Sequence, residues 1–129
     1  MIDRRRLIGL AAALVAYPAL AAEPPAQPFD QQAFDAALAE GRPVLVEISA
    51  PWCPVCKTQK EILADLLAEA RFARMLLLEV DFDSRKDVVR ALGAQAQSTL
   101  IVYAGGAEVG RSVGDTNPES VEALLAQAL

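Results

Sequence analysis

The sequence predicts a single α/β domain, a mixed central sheet with helices on both faces. Three observations carry that prediction. Short, β-branched apolar runs alternate along the chain with amphipathic stretches of helical period. Turn residues, chiefly Gly and Pro, fall between them. The chain has 129 residues, 53% hydrophobic and 22% charged, which suits one globular core and excludes a disordered polymer.

The first segment stands apart from the rest. Arg4-Arg5-Arg6 precedes an apolar stretch from Leu7 to Leu20, then the small-x-small pattern Ala19-Leu20-Ala21. This is the layout of an export signal over residues 1–21, cleaved near Ala21. A membrane anchor fits less well, because the stretch is broken by Pro18 and is shorter than the roughly 20 residues of a spanning helix. The arginine run also loosely resembles a twin-arginine signal. Either route places the mature protein outside the cytoplasm, in a bacterial periplasm, where disulfides persist. Residues 22–29, with Pro24, Pro25 and Pro28, read as an extended linker, and residues 30–129 as the folded domain.

Asp30 is placed to cap a helix with Ala33, Phe34, Ala37 and Leu38 on its apolar side, ended by Gly41 and Pro43. Pro43 to Ser49 then reads as a buried strand. From Cys53 onward a helix is predicted, with Val55, Ile62, Leu63, Leu66, Leu67 and Ala70 inward and Lys60, Glu61, Asp65 and Glu69 largely outward. Leu76 to Asp81 is a second buried strand, and Ser84 to Leu92 a short helix with Val88, Val89 and Leu92 inward. Thr99–Tyr103 and Glu108–Val113 flank the turn Gly105-Gly106 as a strand pair. A capping box from Thr116 to Glu119, with Pro118 in the first turn, opens a last helix facing inward through Val121, Leu124, Leu125 and Leu129.

Composition removes several chemistries. There is no histidine, hence no Ser-His-Asp or Cys-His triad and no imidazole shuttle. The net charge is −5, and −7 once residues 1–21, with three arginines and one aspartate, are removed. An acidic chain without a basic stripe is not a nucleic-acid binder.

The chemistry-bearing stretch is Ala50-Pro51-Trp52-Cys53-Pro54-Val55-Cys56-Lys57, which holds both cysteines of the chain at the predicted strand-to-helix junction. Cys53 falls near the helix N-cap and Cys56 in the first turn. Free N–H groups and the positive end of the helix dipole favour a thiolate there, and Lys57 adds a nearby positive charge. Thiol–disulfide exchange needs this spacing: Cys53 attacks as a thiolate, and Cys56, one turn on, resolves the mixed disulfide. As a mere staple the pair would close so small a ring that it stabilises by only about 2 kcal/mol. As metal ligands, two thiolates would need two more donors, from carboxylates or a second chain.

Trp52-Cys53-Pro54-Val55-Cys56-Lys57 after an apolar strand resembles the W-C-x-x-C-K active site of the thioredoxin superfamily. The resemblance extends in element order over residues 30–129, with the first strand of that fold shortened or missing. It implies a thioredoxin-like fold and a thiol–disulfide oxidoreductase with a redox-active Cys53–Cys56 pair. It also implies Glu47 as a buried proton acceptor, and Trp52, Pro54, Gln97 and Ser98 as a substrate-docking rim. No organic cofactor or resident metal is implied. The partners would be protein disulfides and a membrane thiol–disulfide protein that recycles the pair. Pro54-Val55 lacks the histidine of strongly oxidising members, which points to a reductant.

Two departures stand out. Glu79 aligns with a lysine that often pairs the buried acid, so two carboxylates would face one another: one must be protonated, or Glu79 must point elsewhere. Gln97-Ser98-Thr99 stands where the family has a cis-proline followed by threonine. A cis bond costs about 2.5–4 kcal/mol before serine and about 0.5–1 kcal/mol before proline, so either Gln97–Ser98 is trans with a shifted loop, the favoured outcome, or it is cis and held by substrate-side hydrogen bonds. The rival reading is a non-catalytic module that holds a metal or an iron–sulfur cluster on its thiolates, with the proline shield gone.

Overall fold

The structure is a computed structural model describing residues 26–129; the expected export signal over residues 1–21 lies outside the described residues. Its strands are β1 (Gln27–Pro28), β2 (Val44–Ser49), β3 (Leu76–Asp81), β4 (Thr99–Ala104) and β5 (Ala107–Val113). Its helices are α1 (Gln31–Ala39), α2 (Pro54–Leu67), α3 (Lys86–Ala91) and α4 (Pro118–Ala126), with a 3-10 helix over Ala70–Phe72. The strands form one mixed sheet in the order β1-β3-β2-β4-β5. β3 runs parallel to β2 and β1, whereas β4 is antiparallel to β2 and β5.

The central strand explains the layering. All six residues of β2 are buried, and successive side chains point to opposite faces. Val44, Val46 and Ile48 join Phe34, Leu78, Val80, Val88, Val89 and Ile101 on the α1/α3 side. Leu45 joins Leu63, Leu66, Leu77, Leu100, Val121 and Leu125 on the α2/α4 side. By the same alternation Glu47 faces the α2 side, the only charged residue of an otherwise apolar strand. β2 ends at Ser49, and the Cys53 N–H closes a turn on the Ala50 carbonyl at 3.1 Å before α2 begins.

Four details differ from expectation, each for a local reason. The end of the linker is part of the fold, because β1 pairs with β3 and Phe29 is buried in the core. The helix α3 starts at Lys86 instead of Ser84, because the Asp81 carboxylate accepts the N–H groups of Asp83 and Ser84 and holds them in an Asx turn. Asn117, not Thr116, caps α4: its Oδ1 accepts the N–H groups of Glu119 and Ser120. Val55, Ala70 and Leu129 are exposed, while Gln59 is buried on the inward face of α2.

The cap assignment is directly testable. Asn117→Ala is expected to destabilise the domain by about 1 kcal/mol, and Thr116→Ala to leave it nearly unchanged. Paired urea melts check the assignment, and equal losses would return the cap to Thr116.

Candidate active site

The N-terminus of α2 builds the site. Cys53 is its N-cap and Pro54 its first residue, where a missing N–H costs no helical hydrogen bond. The Cys56 N–H donates to Cys53 Sγ at 3.2 Å, so the sulfur replaces the usual capping oxygen. Both cysteines are free thiols and both are buried, Cys53 at 6% exposure and Cys56 at 1%. They pack with Ala50 and the edge of Phe82.

Their electrostatics diverge. Burial pushes the Cys53 thiol up, but hydrogen bonds from Cys56, Ser98 and the N–H groups of Cys56 and Val55 outweigh it and hold Cys53 below the ordinary thiol range. For Cys56 burial dominates and Cys53 adds to it, so that thiol is held above the ordinary range although Ser98 pulls the other way. The pair thus holds an incipient thiolate on the outside and a thiol beneath it.

Ser98 faces both sulfurs. Its Oγ lies 3.2 Å from Cys53 Sγ and 3.0 Å from Cys56 Sγ. No peptide bond among the described residues is cis, so Gln97–Ser98 is trans, and Ser98 adopts φ +60°, a left-handed conformation uncommon for a residue with a side chain. Its carbonyl accepts Gln59 Nε2 at 3.1 Å and the Gly114 N–H at 2.9 Å. Gln59 Nε2 also donates to the Asp115 carbonyl at 3.0 Å, tying α2 to two loops. Sequence reasoning missed Gln59. The available signal was a polar residue three positions after Cys56, on the inward face of the helix.

The expected docking residues divide. Trp52 is 58% exposed, with its indole Nε1 donating to Asp83 Oδ2 at 2.7 Å, and Pro54 is exposed beside it. Gln97 is half-buried. Ser98 is buried, below the rim and against the sulfurs, because its left-handed backbone turns the hydroxyl inward. A recess of about 420 Å³, lined by Phe82, Lys86, Val89 and Arg90, opens along α3.

Glu47 is 1% exposed on β2, in register with Glu79 on β3. The two carboxylates do not meet unaided. Lys60 Nζ lies 3.1 Å from Glu47 Oε1 and 3.0 Å from Glu79 Oε1, and Ser49 Oγ donates to Glu79 at 2.9 Å. Lys60 was expected to face outward; four residues after Cys56 it instead lies one turn along the same helix face. Burial raises the Glu47 pKa above the carboxylate norm, the Lys60 ammonium opposes this and Glu79 adds to it. A recess of about 290 Å³, lined by Ala26, Glu47, Lys60, Leu77 and Glu79, gives the carboxyl a way to solvent. Among the described residues no group of three or more His, Cys, Asp or Glu side chains converges as metal ligands would.

Two outcomes follow from these contacts. Proline requires φ near −65°, so Ser98→Pro would have to reverse the loop and break the bonds to the Ser98 carbonyl. A loss of about 2 kcal/mol or more is expected in thermal melts of the reduced protein, and a gain would contradict the loop geometry. The second concerns Glu47. Because its folded pKa is raised, its contribution to stability is complete below about pH 4.3 and is lost as pH rises through the folded value. Glu47→Gln lacks that loss, so its melting temperature relative to wild type should climb between pH 4 and pH 8. A flat difference would show that Glu47 titrates normally.

The Thioredoxin family model matches residues 26–127. The thioredoxin of Chlamydia trachomatis is 33% identical over 101 residues, spanning 78% of this chain and 96% of that protein. Thioredoxin-2 of Saccharomyces cerevisiae is 35% identical over 97 residues, spanning 72% and 88%. Among solved structures, Trxlp from Edwardsiella tarda is similar with a TM-score of 0.75 and 40% identity, over 78% of this chain and 97% of that one. With the five-stranded mixed sheet, the C-x-x-C at the start of α2 and a family match over nearly all of the described residues, this chain belongs to the thioredoxin family as a thioredoxin-like redox protein.

Proposed function

We propose that the protein is an exported thiol–disulfide oxidoreductase that reduces protein disulfides and is recharged by a membrane thiol–disulfide partner. The observation that carries the reading is the split between the sulfurs, with Cys53 lowered at the helix N-cap and Cys56 raised beneath it. In the first step the Cys53 thiolate attacks a substrate disulfide, forming one S–S bond and releasing one substrate thiol. In the second, Cys56 gives up its proton and attacks Cys53 Sγ, releasing the other substrate thiol and leaving the Cys53–Cys56 disulfide. Two electrons pass to the substrate, and the partner must return them.

Glu47 is the acceptor for the Cys56 proton in this scheme. Its raised pKa and the recess beside it support the role, with water carrying the proton between them. Trp52 and Pro54 form the exposed rim on which a substrate chain would rest. Direction of electron flow follows from what stabilises the thiolate. A pair becomes a strong oxidant when its reduced form is strongly stabilised, and Cys53 is lowered by neutral dipoles alone, without an adjoining cation. Export rests on the arginine run, apolar stretch and small-x-small pattern of residues 1–21. A similar protein of Mycobacterium leprae is a bifunctional thioredoxin reductase/thioredoxin, which supports a dedicated electron donor for this chain as well.

The test is turnover of insulin disulfides by the mature protein with dithiothreitol, alongside titration of the pair against glutathione. Turnover that vanishes in Cys53→Ser, with a potential near about −270 mV, is expected; a value near about −120 mV would make the protein an oxidant instead. Iodoacetamide at pH 6 should label Cys53 in preference to Cys56, and the reverse would exchange their roles. Glu47→Ala should slow resolution of the mixed disulfide more than its formation.

A further inference from the structure

The Ser98 hydroxyl is a third group in direct contact with the reacting atoms, at 3.2 Å from one sulfur and 3.0 Å from the other. We propose that Ser98 is a catalytic residue, a shared hydrogen-bond donor that serves each sulfur in turn during disulfide exchange. The inference rests on the exchange reaction proposed above.

A hydroxyl has one hydrogen to give, and here two sulfurs are within reach. In the reduced protein it donates to the Cys53 thiolate. Once Cys53 is bonded to substrate it carries no charge and is a poor acceptor. The hydroxyl can then rotate to Cys56 without moving its oxygen and stabilise the thiolate forming there. The Cys56 proton still passes to Glu47, the sulfur electron pair forms the Cys53–Cys56 bond, and the substrate sulfur leaves with the electrons of the bond that breaks. Ser98 keeps its own proton throughout, so atoms and electrons balance without another reagent. Donors aimed at developing charge in a water-poor site are among the strongest sources of rate enhancement.

Three features show that the oxygen is held in place. Ser98 is buried at 4% exposure. Its carbonyl is fixed by Gln59 Nε2 and the Gly114 N–H. Its φ of +60°, uncommon for a residue with a side chain, goes with a hydroxyl placed against both sulfurs. No charged group competes for the role. The neighbours that shift the two sulfurs are each other, Ser98 and the backbone of Ala50, Val55 and Cys56. The charged residues of the surrounding elements, Glu47 on β2, Lys57, Lys60, Glu61 and Asp65 on α2, Glu79 and Asp81 on β3, and Asp83 and Asp115 in the loops before α3 and α4, are not among those neighbours.

Two variants separate the hydroxyl from the loop that carries it. Ser98→Ala removes the oxygen and keeps the backbone cost of a side chain at positive φ, whereas Ser98→Gly removes the oxygen and relieves that cost. Alkylation of Cys53 across pH 4 to 10 reads thiolate formation without any need for substrate. Acid-quenched reaction with glutathione disulfide, followed by mass spectrometry, reads formation and decay of the mixed disulfide. Both variants are expected to move the alkylation midpoint upward, with about tenfold slower labelling of Cys53 at pH 6, as loss of one hydrogen bond to a charged group implies. Decay of the mixed disulfide should slow by about tenfold as well. An unchanged midpoint and decay rate in both folded variants would overturn the proposal, and so would a change in only one of them, since that would trace the effect to the backbone. If wild type alkylates as expected but turns over no disulfide, the oxidoreductase reading fails. The alkylation midpoints would still show whether Ser98 holds the thiolate.

Discussion

The placement of the Lys60 ammonium between Glu47 and Glu79 is the constraint on which the centre of this molecule depends. Two carboxylates in register on neighbouring parallel strands, about 5 Å apart, would repel by up to about 3 kcal/mol at an effective dielectric near 20, less the screening of the partly exposed Glu79. A buried Glu47 without a partner would also carry its full desolvation cost. One cation answers both, and it comes from the second turn of α2, not from the sheet. Only the Glu47 end of the bridge is buried, since Lys60 and Glu79 are 41% and 36% exposed, but removing Lys60 would leave that buried carboxylate without its partner. Lys60 therefore ties α2 to β2 and β3 beside the apolar packing of Leu63 and Leu66, one turn from Cys56.

A second tie completes the site from the opposite side. Gln59, the residue before Lys60, is buried and reaches the carbonyls of Ser98 and Asp115. Consecutive residues of one helix turn thus anchor it downward to the sheet and sideways to the loops before β4 and α4. The sulfurs lie one turn nearer the N-terminus, where Ser98 closes over them. Because the same turn positions both the acid below and the hydroxyl beside the pair, a change at residues 59 or 60 should alter the chemistry of Cys53 and Cys56 without touching either.

The sequence made the layered fold legible because its signals are local. Strand β2 is six buried residues that follow a proline and end in a serine, and the amphipathic period of α2 begins a short turn later. The cysteines and their order at the helix start followed from that junction, and the burial of Glu47 from the family resemblance. What stayed hidden depended on long-range geometry. Lys60 looked like a solvated face because periodicity assigns a direction to a side chain but not its reach; its aliphatic stem spans from the helix surface to the sheet. Ser98 was visible as a departure from proline, and a trans bond was the cheaper outcome, but its left-handed φ and its position between two sulfurs arise from partners far along the chain. The cap of α4 was misplaced by one residue because Thr116 and Asn117 are both good caps, and only the backbone decides between them.

The asymmetry of the cysteine pair is the last consequence of this arrangement. Both thiols are buried, so burial alone would raise both and leave a poor nucleophile. The difference comes from the direction of the hydrogen bonds. The first turn of α2 offers its N–H groups to Cys53, and Cys56 donates to Cys53 as well, so the outer sulfur collects more donors than the inner one. Cys56 lies beyond those N–H groups, and the Ser98 hydroxyl and the Ala50 backbone do not offset its burial. A single negative charge is therefore accommodated at the surface end of the pair, and a second one below it is opposed by the first. That ordering makes exchange sequential: Cys56 becomes a nucleophile only after Cys53 has lost its charge to a substrate sulfur, which is the moment at which its own thiolate is useful.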